Sequence, residues 1–276
     1  MSNALFLQWM LLRRVLSGHT PFRLTGLMTI GNLVLGVGAF YFMTVVVGTG
    51  SARTKSVYDL YGGPAGFMAV GVATNQLLTV GMASIQRAIA DERSQGTLAY
   101  WATTGRHMVP LVLRASLGEF VLACCNAVLT FVLLVVLFQV HFNIDVGSFL
   151  VVMAVSLVAV AGVGLAAAGL FVAGYHGQNP VTWAWGLTTT FIAGVYVPIQ
   201  VFDNWLLQLI SQFVPSTHAL LAMRSAVLRH ASLGDSSFLN QLLPWLVFAV
   251  VMAPVGLWAF HAGLRRAYLR GQFVQS

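Results

Sequence analysis

Six apolar runs, each close to the length that crosses a bilayer, divide this chain. They cover roughly residues 24–48, 64–86, 111–138, 147–173, 181–199 and 243–262, and a spanning helix needs about 20 largely apolar residues. The pattern predicts an all-α membrane protein with six transmembrane helices in a single domain over residues 1–276. Ahead of the first run, Leu5, Trp9, Leu12 and Leu16 repeat at helical spacing beside Arg13 and Arg14. That spacing predicts a helix within residues 1–23 lying in the membrane interface. Between the fifth and sixth runs, residues 200–241 stay apolar in pieces too short to span. One piece runs from Trp205 to Pro215, and a second helical pattern starts at Ser216, a residue placed to cap it. Two short apolar helices broken by a proline predict a re-entrant hairpin on the outer side. An amphipathic surface loop is the plainer alternative.

Composition agrees with that reading. The chain is 58% hydrophobic and only 8% charged, with a mean hydropathy of +0.83, whereas soluble domains carry about 25% charged residues. The formal charge of +7 therefore reports membrane topology rather than a nucleic-acid partner, because basic residues collect on cytoplasmic loops. Arg13, Arg14, Arg23, Arg87, Arg93, Arg106, Arg114, Arg265, Arg266 and Arg270 fall on one side of a six-span arrangement. Arg53, Lys55, Arg224 and Arg229 fall on the other. Both termini are expected in the cytoplasm of a bacterium, the protein crossing its plasma membrane many times. The first apolar patch precedes Arg13 and Arg14, the reverse of a secretory signal.

Little in the chain suggests catalysis. Gly48 to Ser56 faintly resembles a phosphate-binding loop, but Thr54 stands before Lys55 where that loop requires glycine. The seven histidines lack metal-ligand spacing, and no nucleophile and base can be paired. Cys124 and Cys125 lie in an apolar run and read as small packing residues. No metal, no bound cofactor and no enzymatic activity are expected of this chain.

The polar knot lies between runs two and three, within residues 87–107. The second helix is expected to continue beyond Ala83, with Asp91, Glu92 and Arg93 where it leaves the membrane and Gly96 ending it in a left-handed cap. Thr97 then caps a short helix from Leu98 to Trp101. Tyr100 and Trp101 suit a protein interface and equally a headgroup anchor. The run Asp91-Glu92-Arg93-Ser94-Gln95-Gly96-Thr97-Leu98, followed by Thr103-Thr104-Gly105, resembles the inner loop of ABC-2 type transporter permeases. So does the series Val197-Pro198-Ile199, Asn204-Trp205-Leu206, Val214-Pro215-Ser216-Thr217 and Met223-Arg224 before the last run. His218 and His230 depart from residues common in that family.

The resemblance implies the membrane subunit of an ATP-driven exporter, paired with a second permease subunit (a copy or a relative). ATP and magnesium would be held by a separate nucleotide-binding ATPase. Asp91, Glu92, Arg93, Gly96, Thr97, Leu98, Tyr100, Trp101 and Arg106 would then form the coupling surface for that ATPase. Within the spans, Thr188, Thr189, Thr190 and Tyr196 form a mildly polar strip that either lines a substrate path or bonds its own helix backbone. Glu119 is open to the same division, as a path residue or as the structural partner of another loop. Asn75, Gln76 and Asn126 are candidates for bonds between helices, and Gly162, Gly164, Ala166, Ala168 and Gly169 for close helix packing. The substrate expected is a hydrophobic or amphipathic compound, drug-like or lipid. A lipid-linked glycan is the alternative within the family, and an ATP-independent transporter or channel the alternative outside it.

Overall fold

A computed structural model describes residues 52–97, 108–139, 142–174, 180–201 and 204–270, together with Phe42 and Val45. The expected interfacial helix at residues 1–23 and nearly all of the first apolar run lie outside the described residues. What is described is all-helical: α1 (Ala52–Asp59), α2 (Pro64–Ser94), α3 (Met108–Phe138), α4 (Val146–Val172), α5 (Pro180–Leu187), α6 (Trp205–Phe213), α7 (Pro215–Leu228) and α8 (Ser236–Leu269). Three of these, α2, α4 and α8, are long and apolar enough to cross a membrane. The pair α6–α7 would make a fourth if its two pieces are counted as one span.

Local sequence sets these boundaries. Pro64 occupies the first turn of α2, where its missing N–H costs nothing. Asp145 starts α4 by accepting the Ser148 backbone N–H at 2.7 Å, and that bond holds its carboxyl below the usual carboxylate range. Asn204 caps α6 by accepting from Leu206 at 2.9 Å. The expected cap at Ser216 does not form. Pro215 is already in the first turn of α7, Val214 holds the cap position, and the Ser216 hydroxyl is buried without a hydrogen-bond partner.

The long helices α2, α4 and α8 run in one direction and α3 in the other, and their buried side chains form two main clusters. Ile85 and Ile89 of α2, Met108 and Val112 of α3, Val172 of α4 and Leu264 and Ala267 of α8 meet at one end. Val70, Val152, Phe238 and Trp245 belong to the cluster toward the other, with much of α7. The Asp91 helix end and the basic tail of α8 are therefore on the same side of the bundle.

The most extensive contact joins α4 to α8, and glycine makes it possible. A Cβ on Gly256 would collide with the Gly162 carbonyl oxygen, and one on Gly263 with that of Gly169. Two glycine pairs, each seven residues apart on its helix, thus let two backbones touch, the close approach small residues allow in a membrane. Of the small residues of the fourth run, Gly162 and Gly169 serve this contact, whereas a Cβ on Gly164 would meet Ile85 and the Met82 carbonyl of α2. Trp245 adds a buried bond across the same pair of helices, donating from Nε1 to Ser156 Oγ at 3.0 Å.

The fifth apolar run departs from expectation. It is helical only through α5 and a π-helical turn over Thr188–Ile192. The chain then leaves the helix, Gly194 turning with φ +77°, and Pro198 disfavours helical backbone at the residue before it. Residues 181–199 are thus not one continuous spanning helix. The expected break between two short helices is present further on: α6 and α7 meet at 85° across Val214. Nearly every face of α7 is buried, so an amphipathic surface loop does not describe it.

Candidate functional site

The helix end at Asp91 has the predicted form. Thr97 N–H donates to the Glu92 carbonyl at 3.0 Å and Gly96 N–H to that of Arg93 at 3.0 Å, the paired bonds of a Schellman cap. Gly96 takes the left-handed conformation at φ +69°. The side chains divide unexpectedly. Asp91 and Gln95 are exposed and Arg93 half-buried, but Glu92 is buried at 6% exposure. The Thr97 hydroxyl donates to the Glu92 carboxylate and also reaches its carbonyl oxygen at 3.0 Å. Glu92 thus takes part in building the helix end. Leu98, Tyr100, Trp101 and Arg106 lie outside the described residues, as does the short helix Thr97 was expected to cap.

Glu119 finds a partner on the neighbouring helix. Its Oε2 lies 3.9 Å from Arg87 Nη1, a long ion pair between α3 and the C-terminal part of α2. The threonine strip is also spent internally. Thr188 Oγ1 donates to the Ala184 carbonyl at 2.8 Å and Thr189 Oγ1 to that of Trp185 at 2.8 Å. Such back-bonding competes with the regular ladder, and the Thr188 carbonyl instead accepts from Ala193 N–H at 3.0 Å, five residues on. Thr190 is half-buried.

Just beyond, the broken fifth run is held by a residue that the sequence marked only by its sidedness and its place in the family-like series. Arg224, at the centre of α7, is 1% exposed. Its Nη2 donates to the carbonyls of Gly194 at 2.9 Å and Val195 at 2.8 Å, and its Nε to that of Phe67 at 3.1 Å. The guanidinium lies 3.4 Å from the centroid of the Phe67 ring, a cation–π contact. Gly71 leaves room for it, because a Cβ there would strike the guanidinium. Tyr58 completes the clamp by donating to the Tyr196 carbonyl at 2.9 Å. Burial pushes its hydroxyl up to about 12 despite the opposite pull of Arg224, so it stays a neutral donor. Tyr196, a candidate for the substrate path, takes part in this clamp through its backbone carbonyl, and its side chain is half-buried. An arginine inside an apolar helical pattern was the signal, since ionisable groups at membrane depth are costly and retained for a reason.

Three of the buried side-chain groups left without a hydrogen-bond partner among the described residues gather on one face of α2. Asn75, Gln76, Thr79, Gln86 and Arg87 fall within about 120° of arc at 3.6 residues per turn. The buried face of Thr74, Leu78, Gly81, Ile85 and Ala88 lies on the other side of the helix. Asn75 Oδ1, Gln76 Oε1 and Thr79 Oγ1 are buried, with no hydrogen-bond partner among the described residues. The side chain of Asn126 lies outside the described set. An unmet buried acceptor costs about 1–3 kcal/mol, so three on one mid-helix face call for a polar neighbour. Among the described residues no group of three or more His, Cys, Asp or Glu is placed to hold a metal, and Cys124 and Cys125 are free thiols. No family model, no curated protein and no solved structure matches this chain.

Proposed function

We propose that this chain is the membrane permease subunit of an ATP-driven exporter, moving an amphipathic compound out of the cytoplasm or inner leaflet of a bacterial plasma membrane. The observation that carries the reading is the polar face of α2. A helix long and apolar enough to cross the membrane keeps three unmet acceptors at mid-length. The same face continues through Gln86 and Arg87 toward the capped end at Asp91. Such a face suits the polar part of a substrate, while the apolar helices around it suit the rest. In this reading six crossings are made, the fifth broken at Gly194 and followed by α6–α7 as a re-entrant hairpin on the outer side. Both termini and the loop at 87–107 face the cytoplasm, where a separate ATPase docks, and a second permease subunit completes the transporter.

This chain's part is mechanical. ATP binding closes the partner ATPase pair, and the loop passes that motion into α2 and α3 as rigid bodies. The Schellman cap and the Arg87–Glu119 pair keep those two helix ends moving together. Co-purification from the native membrane tests the proposal. A tagged full chain is expected to bring down an ATPase whose turnover it stimulates, and scrambling residues 91–101 is expected to abolish both. Unchanged binding and turnover after scrambling would sink the coupling assignment.

A further inference from the structure

One crevice belongs to none of these features. It holds about 130 Å³ between α2, α3, α4 and α7, with Leu77, Phe131, Phe149 and Met223 among its walls. Its lining offers no polar group. Even Thr74, the sole hydroxyl on it, donates to the Val70 carbonyl at 2.7 Å. A buried water needs two to four polar partners, so water is a poor occupant. A dry apolar cavity of about 150 Å³ is large enough to take up benzene, and leaving such space empty lowers stability in proportion to its volume.

The mouth says what fills it. Val128 on the rim is 60% exposed, and α3 continues outward with Leu129, Val132 and Val136 all exposed. That row is an apolar surface continuous with the mouth, of the kind a bilayer's hydrocarbon covers. Along α2, Val70 and Leu77 lie about 9 and 20 Å from Pro64 at 1.5 Å per residue, within the hydrocarbon depth of a bilayer about 30 Å thick. We infer that this crevice seats the end of one acyl chain of a bilayer phospholipid, entering past Val128 and reaching the side of α7 at Met223. The inference requires the chain to be membrane-embedded and is independent of the exporter reading. It also gives α7 a lipid contact immediately beside Arg224, the clamp of the broken fifth run.

The test uses the full chain in bilayer nanodiscs containing phosphatidylglycerol with a photoreactive diazirine in its acyl chain. Met223 is only 3% exposed and α7 is buried on nearly all sides. Labelling of the Met223 peptide therefore reports entry through the crevice, while labelling near Val136 reports ordinary lipid contact. Both peptides are expected to be labelled in the wild type. Filling the crevice with Ala127→Phe should reduce Met223 labelling to background and leave Val136 unchanged. Ala73→Leu narrows it from the α2 wall and serves where Ala127→Phe does not fold. A Met223 peptide that is never labelled, or whose labelling survives both fillings, overturns the inference. So does its loss on adding a soluble alkylammonium amphipath, since the seat would then belong to a free amphipath rather than to bilayer lipid.

Discussion

Replacing Arg224 with methionine removes the clamp while keeping a long apolar stem. Exchanging a buried ion pair for hydrophobic residues is often neutral, because both charged partners disappear together. Here the partners are main-chain carbonyls and stay behind. The Phe67 carbonyl belongs to a helix and has that ladder to fall back on, but those of Gly194 and Val195 sit in the break, where no regular ladder supplies donors. Two orphaned carbonyls cost about 2–6 kcal/mol together, and the desolvated cation–π contact adds about 2 kcal/mol. Relief from burying a charge offsets several kcal/mol of this. The net expected is a loss of about 3 kcal/mol, concentrated at the break. Thermal unfolding in detergent should register it, and limited chymotrypsin digestion should newly cut near Tyr196. Arg224→Lys keeps the charge but not the fork, so it should fall between the two. A methionine variant as stable and as protease-resistant as the wild type would refute the reasoning.

Three further outcomes are expected. Gly263→Ala forces α4 and α8 apart against a backbone oxygen and should cost about 1–3 kcal/mol, whereas Gly186→Ala, inside α5 with open space around it, should not lower the melting temperature and should raise it by the equivalent of at most about 1 kcal/mol. Gly96→Ala strains a left-handed position and should cost about 1 kcal/mol; thermal unfolding of the two proteins side by side decides it. Asp145 has a depressed pKa, so its cap stabilises fully above the unfolded value of about 3.9 and fades as pH falls through its lower folded value. The melting difference between wild type and Asp145→Ala should therefore be present at neutral pH and vanish in strong acid.

Much of the helical order was legible from hydropathy, because lipid-facing and core positions of a membrane helix are both apolar and mark its extent together. The end of α2 was legible too, since a glycine after a charged turn is a strong stop signal. Other features depend on geometry that hydropathy does not carry. Residues 181–199 look continuous to any apolar average, yet Gly194 and Pro198 redirect the backbone, and donors brought from α7 and α1 satisfy the freed carbonyls. Arg224 was hidden by being tallied with loop arginines. Thr188 and Thr189 advertised a polar path although their hydroxyls bond their own helix, while Asn75 and Gln76 were legible as polar candidates and Thr79 joins them only once burial without a partner is seen.

The central claim is that the polar face of α2 lines a hydrated path, and cysteine accessibility tests it most directly. With Cys124 and Cys125 replaced by alanine, single cysteines at Asn75, Gln76 and Thr79 are challenged in intact membranes with a charged, water-soluble thiol reagent, beside controls at Val128 and Val132. The account predicts reaction at the three polar-face positions and silence at the two lipid-facing ones. Silence at all five positions would contradict it, because the unmet acceptors would then be covered by another helix and no path would run there.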